Sequence, residues 1–224
     1  MIAGSHSSSE LLGELLDGPV RKGEVLQPRS LRFGGYVVSI TPPGAPRMPN
    51  GIECPLSLPD GCRVTIGIGR LTIGELEVMP GPDWNPVPAS IHVHRQPAGP
   101  QPLISGLTPW IAAPSPAGDE LLAGYVAGLV LLHRRRLRAT RIADRTADQL
   151  KPFGATILRH AARGEVPEPI HDLLQTGDPA LLLEWAPSGM WWLRGLVSAG
   201  LLLSSTDVSS SSRHHRTGID AEAI

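Results

Sequence analysis

Short apolar segments separated by glycine and proline make up the first half of the chain. Residues 32–40 are rich in β-branched and aromatic residues and end at the turn Thr41-Pro42-Pro43-Gly44. Residues 63–69 and 70–74 alternate between apolar and polar positions. Alternation with a period of two indicates strands that bury one face. We therefore interpret residues 11–93 as strands joined by Pro- and Gly-rich turns, a pattern typical of a small barrel or sandwich.

The pattern changes after residue 95. Residues 96–115 contain many prolines and few charges, which argues against regular helix and predicts a connector. From residue 116 onward the apolar runs are longer and have helical spacing. They predict helices over residues 116–138, 146–162 and 188–204, and shorter helices that start near Glu168-Pro169 and Asp178-Pro179. The first of these helices is predicted to end in arginines, which suit the negative end of a helix dipole.

These segments together predict an α+β fold, with a β-rich N-terminal barrel or sandwich-like half followed by a helical C-terminal half. The β-rich lobe takes residues 1–95, the connector residues 96–115 and the helical lobe residues 116–204. The last residues, 205–224, are serine-rich and polar and predict a disordered tail.

Charge and composition restrict the class of protein. The 224 residues include 20 Lys and Arg against 21 Asp and Glu, for a net charge of −1. This balance argues against a nucleic-acid-binding protein. The longest apolar runs, residues 121–132 and 196–203, fall short of the roughly 18 residues that span a bilayer. Residues 1–10 lack the features of a signal peptide, so we expect a cytoplasmic protein. The spacing of Cys54 and Cys62 matches no zinc or redox motif.

The start of the first predicted helix carries a candidate site. Ser115 can cap the helix, Pro116 fits its first position, and Gly118 leaves the backbone open to a ligand. Free N–H groups and the helix dipole together favour an anion there. Asp119 and Glu120 add two carboxylates that could cap the helix, hold a metal or accept a proton. The alternative is an ordinary, well-capped helix.

A second helix start resembles the first but lacks the acidic pair. Ser188 and Gly189 follow Ala186-Pro187 as Ser115 follows Ala113-Pro114. Three tryptophans surround this second start, where they could wall a pocket, form an interface or pack in the core: Trp185, Trp191 and Trp192.

Small residues four apart indicate close helix packing. They are Gly124 and Gly128 in the first long helix, and Gly195 and Ala199 in the last. Without a large side chain at these positions, two helices can approach each other closely, so we predict a packing role for them.

No short motif identifies a reaction. The chain contains no Gly-x-Ser-x-Gly elbow, phosphate-binding Walker loop, dinucleotide fingerprint or His-Glu-x-x-His sequence. His92 and His94 would lie on one face of a strand, but two ligands are too few for a typical zinc site. We therefore predict no metal, and the residues leave the cofactor unknown.

Several segments, in order, resemble one family. The run Ser115–Gly124 is similar to that family's (T/S)-P-S-G-D-D-x-L-x-G signature, with Glu120 at the second Asp and Ala117 at the Ser. Residues 156–164 followed by Glu168-Pro169 resemble its helix-and-turn pattern. The remaining similar segments are Pro187-Ser188-Gly189-Met190 with Leu193 and Gly195, Pro49-Asn50-Gly51-Ile52, and Trp84-Asn85-Pro86. The family is the AllH-type subunit of oxamate carbamoyltransferase.

This resemblance implies a subunit that works beside FdrA-like and AllG-like protein subunits. The implied reaction converts oxalurate and phosphate to oxamate and carbamoyl phosphate, or a related carbamoyl or acyl transfer, late in allantoin breakdown. It implies that Asp119 and Glu120 are catalytic. It implies in the same way that the substrate or its anionic group is bound by Ser115, Gly118, Ser188 and Gly189. Two alternatives remain open, a non-catalytic assembly subunit that scaffolds those partners and a stand-alone small-molecule-binding protein.

Overall fold

The computed structural model describes residues 1–27, 29–56, 58–59, 61–91, 118–177, 182 and 184–211. Side chains are described for all of these except residues 27 and 200–211. The chain forms a closed β-barrel in its N-terminal half and helices in its C-terminal half. The predicted α+β class is therefore confirmed, and the β-rich half is a barrel rather than a sandwich.

Eight strands form the barrel, in the spatial order β1-β5-β4-β3-β2-β6-β7-β8. Most neighbours are antiparallel, whereas β4 pairs with β5, and β1 with β8, in parallel. The β1–β8 pair closes the barrel and leaves no free edge. The strands are β1 Ile2–Ser7, β2 Arg21–Gln27, β3 Ser30–Phe33, β4 Tyr36–Thr41, β5 Gly51–Glu53, β6 Val64–Gly67, β7 Arg70–Ile73 and β8 Leu76–Trp84.

Buried side chains that alternate with more exposed ones along the strands fill the interior of the barrel. In β3 and β7 every second side chain is buried, and the buried ones include Leu31, Phe33 and Leu71. The Gly34-Gly35 turn between β3 and β4 has the positive φ of 63° at Gly34 that tight hairpins need. The predicted strands over residues 32–40 and 63–74 are confirmed in position, with turns between them.

One helix lies where strands were predicted. Helix α1, Glu10–Asp17, starts at Ser9, whose side chain accepts a hydrogen bond from the Leu12 N–H. It buries Leu12, Leu15 and Leu16 against the barrel core. The prediction that residue 11 begins the strands was wrong, because this leucine pattern has a helical period rather than a period of two.

The helical half begins with two helices where one was predicted. Helix α2, Gly118–Leu131, is followed by α3, Arg136–Thr146. Between them Arg134 has a left-handed φ of 53°, and the Arg135 N–H donates to the Leu129 carbonyl at 2.8 Å. The Arg134 N–H donates to the Val130 carbonyl at 3.0 Å, so the helix ends in an αL motif with arginine in place of the usual glycine. The prediction of one arginine-ended helix to residue 138 was therefore wrong.

The remaining helices follow the predicted order. A 3-10 turn, Ala147–Gln149, precedes α4, Pro152–Ala161, so the helix predicted over residues 146–162 is shorter and starts later. Helix α5, Glu168–Thr176, starts at the predicted Glu168-Pro169, and left-handed Gly177 caps its end. Helix α6, Ser188–Ser211, starts as predicted but continues seven residues into the segment predicted as a tail.

Some predictions fall on residues that the structure does not describe. They are the connector at residues 96–115, the pair His92 and His94, the helix start near Asp178-Pro179, and residues 212–224 of the tail. Among the described residues, no helix has the length and hydropathy needed to cross a bilayer.

Glycines bring α2 and α6 into backbone contact. A Cβ on Gly124 would lie 2.1 Å from the Trp192 carbonyl oxygen, and one on Gly195 would lie 2.1 Å from the Leu121 carbonyl oxygen. A Cβ on Gly128 would meet the Ala199 methyl at 2.6 Å. The packing role predicted for these small residues is confirmed. Because successive residues of α2 meet successive residues of α6, the two helices run parallel and start at the same end.

Helices α4 and α5 dock on the outside of the barrel through hydrogen bonds. The Val37 N–H in β4 donates to the buried Thr156 hydroxyl at 2.9 Å. The Val166 N–H donates to the Pro86 carbonyl at 3.0 Å, and the Glu168 N–H to the Arg47 carbonyl at 2.9 Å. Buried backbone groups of the barrel are thus satisfied by the helical half, which fixes how the two halves meet.

Candidate functional site

The two predicted helix starts lie side by side. Gly118 begins α2 and Ser188 begins α6. The Ser188 hydroxyl donates a hydrogen bond of 2.8 Å to Oε1 of Glu120, a residue 68 positions away in the chain. Parallel packing through Gly124 and Gly195 produces this meeting, because it sets the first turns of both helices at the same level.

Glu120 is a half-buried carboxyl group with an altered acidity. Burial raises its pKa above the ordinary value, because the charged form loses hydration. The hydrogen bond from Ser188 lowers the pKa in part, and the charge of Asp119 raises it again. The net shift of the pKa is upward, which makes the Glu120 carboxylate a stronger base than an ordinary glutamate.

Asp119 points to a third helix start. Gly154 is the third residue of α4, and a Cβ placed on it would lie 2.1 Å from Oδ2 of Asp119. The carboxylate therefore occupies the space that a side chain at Gly154 would fill. No side-chain cap is present at Lys151, so the Asp119 charge also compensates the positive end of the α4 dipole.

The glycines of the two starts have opposite surroundings. Gly118 is exposed, and a Cβ there would meet no atom of the described residues within 4 Å. Gly189 is buried, with Trp185 at 3.1 Å and the Leu182 carbonyl at 3.2 Å from its Cβ position. The backbone is thus accessible at the start of α2, whereas the start of α6 is packed against Trp185. Ser115 lies outside the described residues.

The tryptophans around the second start serve different purposes. Trp192 is fully buried against α2 and belongs to the helical core. Trp191 is half-buried, and the Arg194 guanidinium lies 5.0 Å from its ring centroid. Trp185 packs at the edge of the core and backs Gly189. Core packing therefore accounts for Trp192, while Trp191 presents part of its ring at the surface.

A second polar cluster has no counterpart in the sequence patterns. It lies between the barrel and the helices and consists of Ser9, Tyr36, His160 and Glu165. Three of these side chains are almost fully buried, with relative exposures of 2% for Ser9, 0% for His160 and 4% for Glu165. Tyr36 and Ser9, two of the partners of His160, lie 124 and 151 positions away from it. Only the fold brings them together, and the sequence alone carries no signal for this cluster.

Hydrogen bonds connect the whole cluster. The Tyr36 hydroxyl lies 2.7 Å from Nε2 of His160, and the Ser9 hydroxyl donates to Oε2 of Glu165 at 3.0 Å. Nδ1 of His160 contacts the same Glu165 oxygen. The hydrogen-bond geometry has Nδ1–H of His160 donating to the carboxylate and the Tyr36 hydroxyl donating to Nε2. The cluster is satisfied internally, as a structural network would be.

Burial keeps Tyr36 protonated. Desolvation raises the pKa of its phenol well above the usual value, and the Glu165 charge adds to the increase, while Arg163 lowers the pKa. At neutral pH the phenol therefore remains a hydrogen-bond donor to His160. This arrangement fixes the β3–β4 hairpin on α4.

The described residues contain no cluster of metal-binding side chains. No group of three His, Cys, Asp or Glu side chains in this part of the chain is arranged to hold a metal ion. Cys54 is buried and Cys62 half-buried, and both are free thiols.

Comparisons with known proteins leave the family open. The chain matches no protein-family model, and searches of curated proteins and of solved structures find no match either.

Proposed function

We propose that this chain is a subunit of a multi-subunit carbamoyltransferase of the oxamate carbamoyltransferase type, or of a related carbamoyl- or acyl-transfer complex. One observation supports the proposal best, the 2.8 Å hydrogen bond from Ser188 to Glu120. The two segments that it joins are the two that most resemble the AllH-type signatures. Remote segments that share one function are expected to meet in space, and these meet at their first turns.

The proposed chemistry uses the acidity of Glu120. In carbamoyl transfer to oxamate, the amide nitrogen attacks the carbamoyl carbon, the C–O bond to phosphate breaks, and the nitrogen releases a proton. A carboxylate with a raised pKa is a stronger base for that proton. In the reverse direction, protonated Glu120 returns a proton to the leaving nitrogen while phosphate attacks the carbamoyl carbon. Exposed Gly118 leaves room for the substrate to approach the start of α2.

Asp119 has a positioning role in this proposal. Its carboxylate is placed against the first turn of α4, and its charge raises the pKa of Glu120. Asp119 therefore tunes its neighbour rather than contacting the substrate directly.

Replacing Ser188 by alanine is expected to move the pH profile of the assembled complex. The Ser188 hydrogen bond lowers the pKa of Glu120, so its loss raises that pKa further. In the synthetic direction the base must be ionised, and the rise of kcat with pH should shift to higher pH. Ser198→Ala is the matched control, because the Ser198 hydroxyl contacts only the Arg194 carbonyl of its own helix. If the pH profile of kcat were unchanged in S188A, Glu120 would not be the group whose ionisation controls kcat.

The substitution of Glu120 used to test the proposed function is not expected to destabilise the protein. The folded-state pKa of Glu120 is raised, so its stabilising contribution is complete below the reference value of 4.5 and is lost as pH rises through the folded pKa. At neutral pH the ionised form opposes folding. Glu120→Gln should therefore be at least as stable as the parent chain, as thermal unfolding at pH 7 and pH 5 would show.

Gly154→Ala is expected to reduce turnover by about tenfold to a hundredfold, the scale of a small misplacement at a reacting centre. The added methyl group would lie 2.1 Å from Oδ2 and 2.9 Å from Cβ of Asp119, so the carboxylate must rotate away and the helices α2 and α4 must shift slightly. Thermal unfolding of G154A measures the cost to stability separately from turnover. Gly13→Ala is the control, because it adds the same group on α1, where its Cβ would meet no atom of the described residues within 4 Å, and it should leave turnover unchanged. Full activity in G154A would remove the fixed Asp119 carboxylate from the mechanism.

The second candidate is a non-catalytic assembly subunit, which the half-buried Trp191 beside Arg194 favours. Tryptophan and arginine are the residues that most often dominate protein interfaces. Co-expression with FdrA-like and AllG-like subunits distinguishes the two functions. If Trp191→Ala prevents co-purification while Glu120→Gln leaves the assembled complex fully active, the chain is a scaffold.

A further inference from the structure

Helix α3 contacts the rest of the protein through one narrow face. Ala139 and Ala143 are buried in the helical core, and Ile142 packs against the same core. These inward positions are three and four residues apart, so they lie on one side of the helix. The opposite side of α3 is exposed to solvent.

Arginines cover the exposed side of α3 and the turn that precedes it. Arg138, Arg141 and Arg145 follow at intervals of three and four residues, which places them on a common face. Three more arginines come directly before them in the chain. None of the six side chains forms an ion pair or a hydrogen bond with another described residue. The arginine face consists of Arg134, Arg135, Arg136, Arg138, Arg141 and Arg145, all exposed.

The arginine face concentrates positive charge in a chain that is otherwise acidic. Residues 134–145 contain six of the chain's 20 Lys and Arg residues but only one of its 21 Asp and Glu residues, Asp144. The other residues therefore carry 14 basic side chains against 20 acidic ones. Like charges repel at this spacing, and Arg136 and Arg138 also lie in the first turn of α3, where the helix dipole disfavours cations. An anionic partner would offset both costs, so the charge of this face is complementary to such a partner.

An exposed leucine lies among these arginines. Leu137 is 79% exposed, more than any other large apolar side chain of the described residues except Met1. It lies one helical turn from Arg141. Interfaces between proteins combine apolar contacts with arginine and are depleted in lysine, and residues 134–145 contain no lysine. The forked guanidinium also fits a carboxylate through two parallel hydrogen bonds, which a lysine cannot form.

We infer that the arginine face binds an acidic segment of a partner protein, one that offers several carboxylates and an apolar side chain for Leu137. A membrane surface fits less well, because the other apolar residues of α3 face the core and leave no apolar face to enter a bilayer. The inference is independent of the carbamoyl-transfer proposal, since the arginine face contains none of the residues of the paired helix starts.

A nucleic acid also fits less well than an acidic protein segment. Helix α3 contains no aromatic residue on which bases could stack. The surplus of acidic residues in the rest of the chain would repel a long polyanion, whereas a short acidic segment contacts only the arginine face.

An acidic peptide of glutamates with regularly spaced leucines provides the test, and the same peptide with glutamine in place of glutamate is its matched control. Fluorescence anisotropy with the whole chain should show saturable binding of the acidic peptide, which weakens as the salt concentration rises. The glutamine peptide should bind at least about tenfold more weakly, because several ion pairs are lost together. Tighter binding of a single-stranded RNA or of phosphatidylserine vesicles than of the acidic peptide would overturn the inference.

Substitutions locate the binding face. The triple change Arg138→Gln, Arg141→Gln and Arg145→Gln should weaken binding of the acidic peptide about tenfold or more. Leu137→Ser should weaken it about tenfold, because the peptide no longer covers an apolar side chain. All four positions are exposed, so the variants should fold, as circular dichroism would show. Leu76→Ser changes an exposed leucine of the barrel and should have no effect on binding.

A second triple variant controls for total charge. Arg21→Gln, Lys22→Gln and Arg63→Gln remove the same charge from exposed positions in the β half and should leave peptide binding nearly unchanged. Equal binding of the two peptides, or an equal loss of binding in the two triple variants, would show that the arginine face is not a docking surface for an acidic segment.

Discussion

Replacing His160 by alanine is expected to lower the free energy of unfolding by about 3 kcal/mol or more, because a buried charged group that loses a hydrogen-bond donor costs more than the roughly 1–3 kcal/mol of a neutral one. His160 is fully buried and links Glu165 to Tyr36. Without the imidazole, the Glu165 carboxylate remains buried with Ser9 as its closest donor. The Tyr36 hydroxyl loses its acceptor at the same time. Urea denaturation followed by tryptophan fluorescence and circular dichroism would measure the change.

Two further variants separate the parts of this effect. Tyr36→Phe removes one hydrogen bond and should cost about 0.5–1.5 kcal/mol. The double change His160→Leu with Glu165→Leu removes the buried charge together with its partner, and it should recover most of the stability lost in H160A. If H160A were as stable as the parent chain, the cluster would not hold the barrel and the helices together.

Gly124→Ala is expected to destabilise the protein by about 3 kcal/mol or more, at the upper end of the cost of overpacking. The new methyl group would lie 2.1 Å from the Trp192 carbonyl oxygen, and a backbone atom cannot rotate away as a side chain can. The helices α2 and α6 would have to separate. Gly195→Ala should have a similar cost, because its Cβ would meet the Leu121 carbonyl oxygen at the same distance.

A matched glycine on another helix provides the control. Gly13 lies within α1, and a Cβ there would meet no atom within 4 Å. Gly13→Ala should stabilise the protein by about 0.5–1 kcal/mol, because alanine loses less backbone freedom in a helix. The opposite signs expected for G13A and G124A distinguish crowding between helices from helix propensity. A stable G124A variant would contradict the close parallel packing of α2 and α6.

Hydrophobic periodicity predicted most of the strands but not the closure of the barrel. Strand β1, Ile2–Ser7, has mostly small and polar residues, and it joins the sheet by pairing in parallel with β8. Parallel pairing between the two ends of a sheet depends on contacts that are remote in sequence, and local patterns do not contain them. Helix α1 was missed for another reason: Ser9 and the spacing of Leu12, Leu15 and Leu16 contain the helical signal, which the surrounding strand patterns obscured.

The break between α2 and α3 could not be predicted from the residue types that usually end a helix. Helix C-caps usually require glycine at the left-handed position, and Arg134 takes that position instead. Arg136 and Arg138 consequently lie in the first turn of α3, where the dipole does not favour cations. The arginine-rich segment was assigned to a helix end from its composition, whereas its backbone conformation decides where the helices break.

The candidate site was predicted in its residues but not in its geometry. The sequence indicated Asp119, Glu120 and Ser188 separately, and their pairing followed from an internal similarity and a family resemblance. The structure brings Glu120 to Ser188 and places Asp119 on Gly154, a contact that no spacing rule predicts. The cluster of Tyr36, His160 and Glu165 could not be predicted, because Tyr36 lies 124 positions from His160 on a strand that meets α4 only after folding.

The most direct test of the proposed function is the formation of carbamoyl phosphate from oxalurate and phosphate by a complex assembled with FdrA-like and AllG-like subunits. The complex that contains this chain should form carbamoyl phosphate. The same complex with Glu120→Gln, shown by gel filtration to be fully assembled, should be slower by at least about a hundredfold, the lower end of general acid–base contributions. Equal rates for the parent and E120Q complexes, or an unchanged rate when this chain is omitted, would contradict the assignment of the reaction to the paired helix starts.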